Sequence, residues 1–303
     1  MDNARGQRAD LLDPATIAAL GRIEIIARWI VDGFLTGLHR SPRKGFSVEF
    51  AEHRPYQPGD ELRYVDWKIA ARADRWVVKQ YEEETNLRAT IVLDVSRSMA
   101  WTGDAARLTK LAYAERLTAA LSLLFLRQHD AVGLVRFDEA IRTSVPPRAR
   151  SGHWRRIVAS LDDPGSGHAS RAPDALEKAG RLIVRRGMVV LISDLLMEPD
   201  DVLPHVRSLR LQGHHVAVLH LLDPSERELP LTTDAVFVDP ESSTEVTATV
   251  ADVRAAYRAT VEAALQEWRS SLTALGASYE TITTDAPFGV PLRRAFAVRQ
   301  RLP

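Results

Sequence analysis

The sequence predicts an α/β protein, a mostly parallel open sheet with helices on both faces, preceded by an N-terminal helix and an irregular segment. Three observations predict it. From Ala89 onward, short apolar runs and amphipathic stretches follow a β-α-β-β-α-β-α-β rhythm. The runs are close to continuously apolar, as strands covered on both faces are. The chain has 303 residues, 45% of them hydrophobic, enough for a sizeable core.

The elements follow in order. Asp13-Pro14 reads as an N-cap and a first-turn proline, and Ile17, Leu20, Ala27, Val31, Phe34 and Leu38 keep helical spacing, so residues 14–39 are predicted as an amphipathic helix. Residues 40–90 break the pattern with Ser41-Pro42, Gly45 and Gln57-Pro58-Gly59-Asp60; Pro58-Gly59 suits a type II turn. Residues 75–81 alternate like a strand. Residues 90–95 read as a buried strand, and 107–128 as a helix with Leu117, Leu121, Leu124 and Phe125 on one face.

Residues 131–137 are the next strand. Residues 141–145 follow after three residues, too few for a parallel crossover, so they should pair antiparallel. Helices are expected at 152–161, 173–186 and 200–212, and strands at 188–193 and 215–222. A Pro-containing connection, Asp223-Pro224 to Glu228-Leu229-Pro230, leads to a small hairpin at 235–238 and 245–249. Val253, Tyr257, Val261, Leu265, Trp268 and Leu272 mark a long helix ending at Gly276, and residues 278–283 a last strand that completes the sheet. Three stretches result: 1–88, helix and docking segment; 89–223, the α/β domain; 224–303, hairpin, long helix and final strand.

Composition narrows the function. Forty Lys+Arg balance forty Asp+Glu, which argues against a dedicated nucleic-acid binder. The sum conceals six arginines against Asp138 and Glu139 between positions 136 and 156, a solvated face or a contact for an acidic partner. Cysteine is absent, which removes disulfides, thiolate zinc sites, iron–sulfur clusters and cysteine nucleophiles. Only five basic residues are lysines (Lys44, Lys68, Lys79, Lys110, Lys178), read as compositional bias. Residues 1–13 are polar, and the apolar run 23–38 contains Glu24, Arg28 and Asp32. A soluble, cytoplasmic protein without direct membrane insertion is expected. No G-x-x-x-x-G-K-[ST], H-E-x-x-H or G-x-S-x-G occurs, and Gly165-Ser166-Gly167 lacks the setting of a dinucleotide loop.

One motif stands out. Asp94, Ser96 and Ser98 lie at i, i+2 and i+4 where the first sheet strand ends, the side on which open α/β sheets bind ligands. A carboxylate and two hydroxyls form a hard-oxygen set suited to Mg²⁺ or Mn²⁺. Asp194 ends a later strand and meets Asp94 if the two strands are neighbours. The competing reading is that these groups only cap the following helix.

Asp94-x-Ser96-x-Ser98 with Asp194 resembles the metal-ion-dependent adhesion site of von Willebrand factor A domains. That family adds a loop threonine; Ser170 is its nearest positional equivalent here and Ser166 a rival. The run Arg54-Pro55-Tyr56-Gln57-Pro58-Gly59-Asp60-Glu61-Leu62-Arg63-Tyr64-Val65-Asp66-Trp67, followed by Ala71-Arg72, is similar to the bacterial domain-of-unknown-function 58 family, with Glu61 in place of a second Asp. Asp223-Pro224-Ser225-Glu226-Arg227-Glu228-Leu229-Pro230 carries the likeness into the tail. The resemblance implies a MoxR-type AAA ATPase partner, a client protein and a non-enzymatic adaptor role in chaperone-like maturation. Arg54, Tyr56, Asp60, Arg63, Asp66, Trp67 and Arg72 form either an internal polar network or a partner surface. Two alternatives remain beside the metal-dependent adaptor: a metal-free scaffold, and a Mg²⁺-dependent phosphohydrolase with Asp94 as nucleophile, which would lack the usual second Asp because position 96 is Ser.

Overall fold

The computed structural model describes residues 22–39, 53–56, 76–79, 87–150, 152–162, 172–230, 235–238 and 245–300, with Pro14, Ile69, Ala71 and Arg72. Helix α1 (Ile23–His39) and the short strands β1 (His53–Pro55) and β2 (Val77–Lys79), paired antiparallel, precede the sheet. Strand β3 (Arg88–Asp94), helix α2 (Lys110–Arg127) and strands β4 (Ala131–Phe137) and β5 (Ile141–Arg148) come next. Helices α3 (His153–Leu161) and α4 (Ala172–Leu182), strand β6 (Met188–Ser193), helix α5 (Pro199–Leu211) and strand β7 (His215–Leu222) follow. The tail holds α6 (Pro224–Glu228), the β8–β9 hairpin (Ala235–Val238, Glu245–Ala248), α7 (Val250–Ala274), β10 (Ser278–Thr283) and α8 (Gly289–Gln300).

Six strands form one sheet in the order β10-β7-β6-β3-β4-β5. All neighbours are parallel except β5, which runs antiparallel to β4 as the short connection requires. The α/β class predicted from the sequence is therefore the observed one. From β3 the chain steps outward to β4 and β5, then returns to the other side of β3 for β6, β7 and β10. The strand order reverses between β3 and β6, and the carboxyl ends of those two strands flank the crevice that such reversals create.

Alternating side chains of each strand feed two cores. Ile91, Leu93, Val132 and Leu134 join Leu117, Leu121, Leu124 and Phe125 of α2, Ile26 and Ile30 of α1, and Leu292 of α8. Val92, Val135, Val189 and Leu191 pack on the opposite face with Ala175 of α4, Val202 of α5 and Trp268 of α7. Helix α2 is buried along most of its length because α1, α3 and α8 cover it: Trp154 donates to the Ala119 carbonyl at 2.9 Å, and Tyr113 stacks on Phe288 with ring centroids 4.3 Å apart.

Several boundaries differ from the sequence reading. The described part of the first helix is Ile23–His39, and the described part of the 75–81 strand is Val77–Lys79. Helix α4 stops at Leu182, four residues early, and the chain passes through Arg185-Arg186-Gly187 into β6. Helix α8 was not expected, yet Phe288, Leu292 and Ala295 are buried at i, i+4 and i+7, the spacing of one helical face.

Gly187 is fixed by close approach: a Cβ there would lie 2.0 Å from the Arg88 carbonyl oxygen. The β3 backbone cannot retreat without breaking the ladder to β6. Gly187→Ala is expected to destabilise the protein by about 1–3 kcal/mol, as overpacking against fixed atoms does. Chemical denaturation reads this directly, and an unchanged midpoint would contradict the packing.

Candidate functional site

Strands β3 and β6 pair through Leu93 and Ile192, so Asp94 and Ser193 stand side by side at the carboxyl edge, with Asp194 one residue further. All three are buried. Asp94 is held from both sides: its Oδ2 accepts from Ser193 Oγ at 2.6 Å and its Oδ1 from the Ser96 N–H at 2.9 Å. Ser193 Oγ also accepts from the Leu195 N–H at 3.0 Å. Leu195 adopts φ 47°, a left-handed conformation costly for a branched side chain, and the Ser193 hydroxyl fixes that turn. The Ser96 and Ser98 hydroxyls lie 3.1 Å apart, both buried.

The charge partner is Lys110, at the first position of α2. Its ammonium is fully buried, 2.8 Å from Asp194 Oδ2, and it also donates to Glu226 Oε1. The Trp101 ring centroid is 6.0 Å from the same nitrogen. Thr109 caps α2 by accepting from the Ala112 N–H at 3.1 Å, which sets the helix start and so the origin of the lysine.

Glu226 comes from the tail motif. Asp223 accepts from the Ser225 N–H at 2.8 Å, and Glu226 Oε2 accepts from the Asp223 N–H at 2.7 Å, a reciprocal capping box. The Glu226 carboxylate thus serves α6 with one oxygen and Lys110 with the other. Asp223 also accepts from Arg107 at 3.0 Å and from Thr102 and Thr284 at 3.3 Å. The motif clamps the loop after β3 against the end of β7. Gly103 is obligatory there, since a Cβ would sit 2.2 Å from Ser225 Oγ.

Burial, followed by the charge of Asp194, raises the Asp94 pKa to about 7, while the hydrogen bonds from Ser193 and Ser96 pull it back. Burial also raises Glu226, against the lowering effect of Lys110. For Lys110 burial is the largest influence and would lower it, but the two carboxylates together raise it. His220 on β7 is pushed down to about 4 by burial and is neutral at pH 7; its Nδ1 is 2.7 Å from Tyr279 Oη. Two carboxylates, Asp194 and Glu226, therefore share one ammonium, and Asp94 lies close enough to Asp194 to feel its charge.

A divalent cation would balance that excess. Among the described residues no group of three or more His, Asp and Glu side chains converges on one point, so a cation would depend on the hydroxyls and on water. Asp94 with Ser96 and Ser98 fits a hard, hydrated ion such as Mg²⁺. Asp194, taken up by Lys110, suits an outer role.

The profile of the family described as "Protein of unknown function DUF58" matches residues 52–267. The chain belongs to that family. Uncharacterized proteins of Mycobacterium tuberculosis and Mycobacterium bovis are 32% identical to it over 238 residues, covering 78% of this chain and 74% of theirs. Among solved structures, an aerotolerance-related membrane protein from Bacteroides fragilis shares the fold (TM-score 0.50, 16% identity), covering 71% of this chain and all of that one (100%). The conserved hypothetical protein BatB from Bacteroides thetaiotaomicron matches at TM-score 0.47 and 15% identity, over 71% of this chain and 99% of its own. No helix among the described residues is long and apolar enough to cross a membrane.

The structure brings Asp94, Ser96, Ser98 and Asp194 together. Ser170, Asp60, Arg63, Asp66 and Trp67 lie outside the described residues. Arg54 pairs through its backbone with Val78, Arg72 is exposed, and Tyr56 lies against Trp76 with ring centroids 5.7 Å apart. Sequence reasoning missed Lys110, Ser193 and Glu226 as parts of the site. Two signals pointed to them: a lysine in an arginine-rich chain, and a tail motif with a capping-box spacing.

Removing the ammonium leaves two carboxylates without a counterion. Lys110→Met is expected to cost about 3–5 kcal/mol by denaturant titration, and a loss below about 1 kcal/mol would contradict the buried network. The Asp94 pKa in the fold, about 7, lies above its ordinary 3.8. Its contribution to stability is fully present below the ordinary value and lost as pH rises through about 7. In chelator, Asp94→Asn is expected to gain stability relative to wild type as pH rises from about 4 to about 7, with no further gain above that. Parallel melting-temperature curves would refute the raised value.

Proposed function

We propose that the chain is a divalent-metal-dependent protein-binding adaptor and not an enzyme. The observation that supports this reading is the excess of buried carboxylate at the strand-reversal crevice, where Asp94 lies beside the paired hydroxyls of Ser96 and Ser98. Mg²⁺ or Mn²⁺ would be held by Asp94, Ser96 and Ser98, with Asp194 positioned by Lys110 and acting through water, in the manner of a von Willebrand factor A-like adhesion site. The ion would supply an electrophilic position that a partner carboxylate completes. Trp101 and Leu196, 41% and 54% exposed on the loops after β3 and β6, offer apolar contact beside it.

The family resemblance supplies the partner class, a MoxR-type AAA ATPase acting with this protein on a client in the cytoplasm. A metal-free scaffold is the second reading, favoured by the Lys110 ammonium, which already neutralises Asp194. The phosphohydrolase alternative lacks the usual second Asp two residues on, since position 96 is Ser.

Calorimetric titration with MgCl₂ separates the first two readings. Wild type is expected to bind one ion and Asp94→Ala none. Equal heats from both proteins would favour the scaffold. Capture of an ATPase from the native host only without chelator would support the adaptor reading.

A further inference from the structure

The opposite edge of the sheet carries a second feature. An open cavity of about 700 Å³ lies at the amino ends of β3 and β4, lined by Arg88, His129, Arg148, Arg150 and Arg185 around a floor that includes Pro146 and Pro147. Among the described residues no carboxylate lines it. Asp130, next to His129 in sequence, is fully buried and has its own partner.

The excess of positive charge in residues 136–156 resolves at this edge. Arg136 is buried and bound to the Ser160 carbonyl and to Glu115; Arg142 takes up both Asp138 and Glu139. Arg148, Arg150, Arg155 and Arg156 are left exposed, and among the described residues none of them has a carboxylate partner. Arg185 and Arg186 join them from the α4–β6 connection, likewise exposed and unpaired among the described residues. Arg148 and Arg156 lie close enough to His153 to help lower its pKa, after burial. Arg88 alone is anchored, donating to the Pro147 carbonyl at 3.3 Å.

Next to Arg185 in the α4–β6 connection, Val184 is 85% exposed, and Leu211, the last residue of α5, is 83% exposed. The guanidinium groups are not locked in a tight cradle, and no helix N-terminus is needed to build the site. Free guanidinium groups over proline and aliphatic surface suit an extended acidic segment better than a small anion. The geometry points to a second binding site, at the amino edge of the sheet, for an acidic peptide segment of a partner protein, independent of the Asp94 site.

The test is fluorescence anisotropy on the full chain in EDTA, with a fluorescein-labelled oligo-glutamate peptide as probe and single-stranded oligo-dT for comparison. Wild type is expected to bind the peptide saturably, with affinity falling as salt rises. Arg148→Glu/Arg150→Glu and Arg185→Glu should each weaken it by about tenfold or more. Arg293→Glu, an exposed reversal on α8 outside the cavity, and Asp94→Asn should leave it unchanged. No saturable binding by wild type, equal binding by the cavity variants, or tighter binding of oligo-dT would each overturn the proposal. EDTA keeps the outcome separate from that of the metal site, because a carboxylate bound through a divalent ion would be lost under these conditions. The substituted arginines are exposed, so matching melting temperatures confirm that lost binding is not lost folding.

Discussion

The carboxyl edge of this protein depends on burying one ammonium ion between two carboxylates. Lys110 comes from the start of α2, Asp194 from the end of β6 and Glu226 from the tail after β7. A buried charge is tolerated only when it is paired and hydrogen-bonded. Each of the three groups is therefore a condition for the other two, and the three chain segments are held in one arrangement. In a chain that otherwise favours arginine, a lysine here has a steric reason. A compact ammonium fits between two carboxylates, whereas a planar guanidinium demands a wider fork.

The constraint spreads outward through the capping box. Glu226 can reach Lys110 only if α6 starts at Pro224, and that start depends on Asp223 accepting from Ser225. Asp223 is in turn bound by Arg107 and Thr102, so the loop between β3 and α2 is fixed by the same carboxylate. Gly103 lets that loop approach. Ser96 and Ser98 sit on its first turn, which means that the geometry of the hydroxyls is set by residues more than a hundred positions downstream.

This explains what could be read in the sequence and what could not. The strands of the sheet were legible because each is a local run of apolar residues between turn signals. Asp94, Ser96 and Ser98 were legible because their spacing is local, and Asp194 because it ends a strand. The partnership of Lys110 with Asp194 and Glu226 joins groups 84 and 116 residues apart, and no local pattern encodes such a distance. Read alone, Asp223-Pro224-Ser225-Glu226 marks a helix start; only the fold shows that the second oxygen of its glutamate is committed elsewhere. Helix α8 was missed because Pro291 and the paired Arg293 and Arg294 mask its apolar spacing.

The balanced net charge takes on a different meaning once the charges are placed. The sheet separates them. Asp94, Asp194 and Glu226 lie at its carboxyl edge with Lys110 between the last two, while Arg148, Arg150 and Arg185 lie at its amino edge with no carboxylate in the cavity lining among the described residues. A parallel strand is about 20 Å long, more than twice the screening length of about 8 Å at physiological salt. Neither pole is cancelled by the other in solution, so a partner approaching one edge responds to that edge's charge and not to the sum over the chain. A protein whose charges add to nothing can in this way carry opposite charge at the two edges of one sheet.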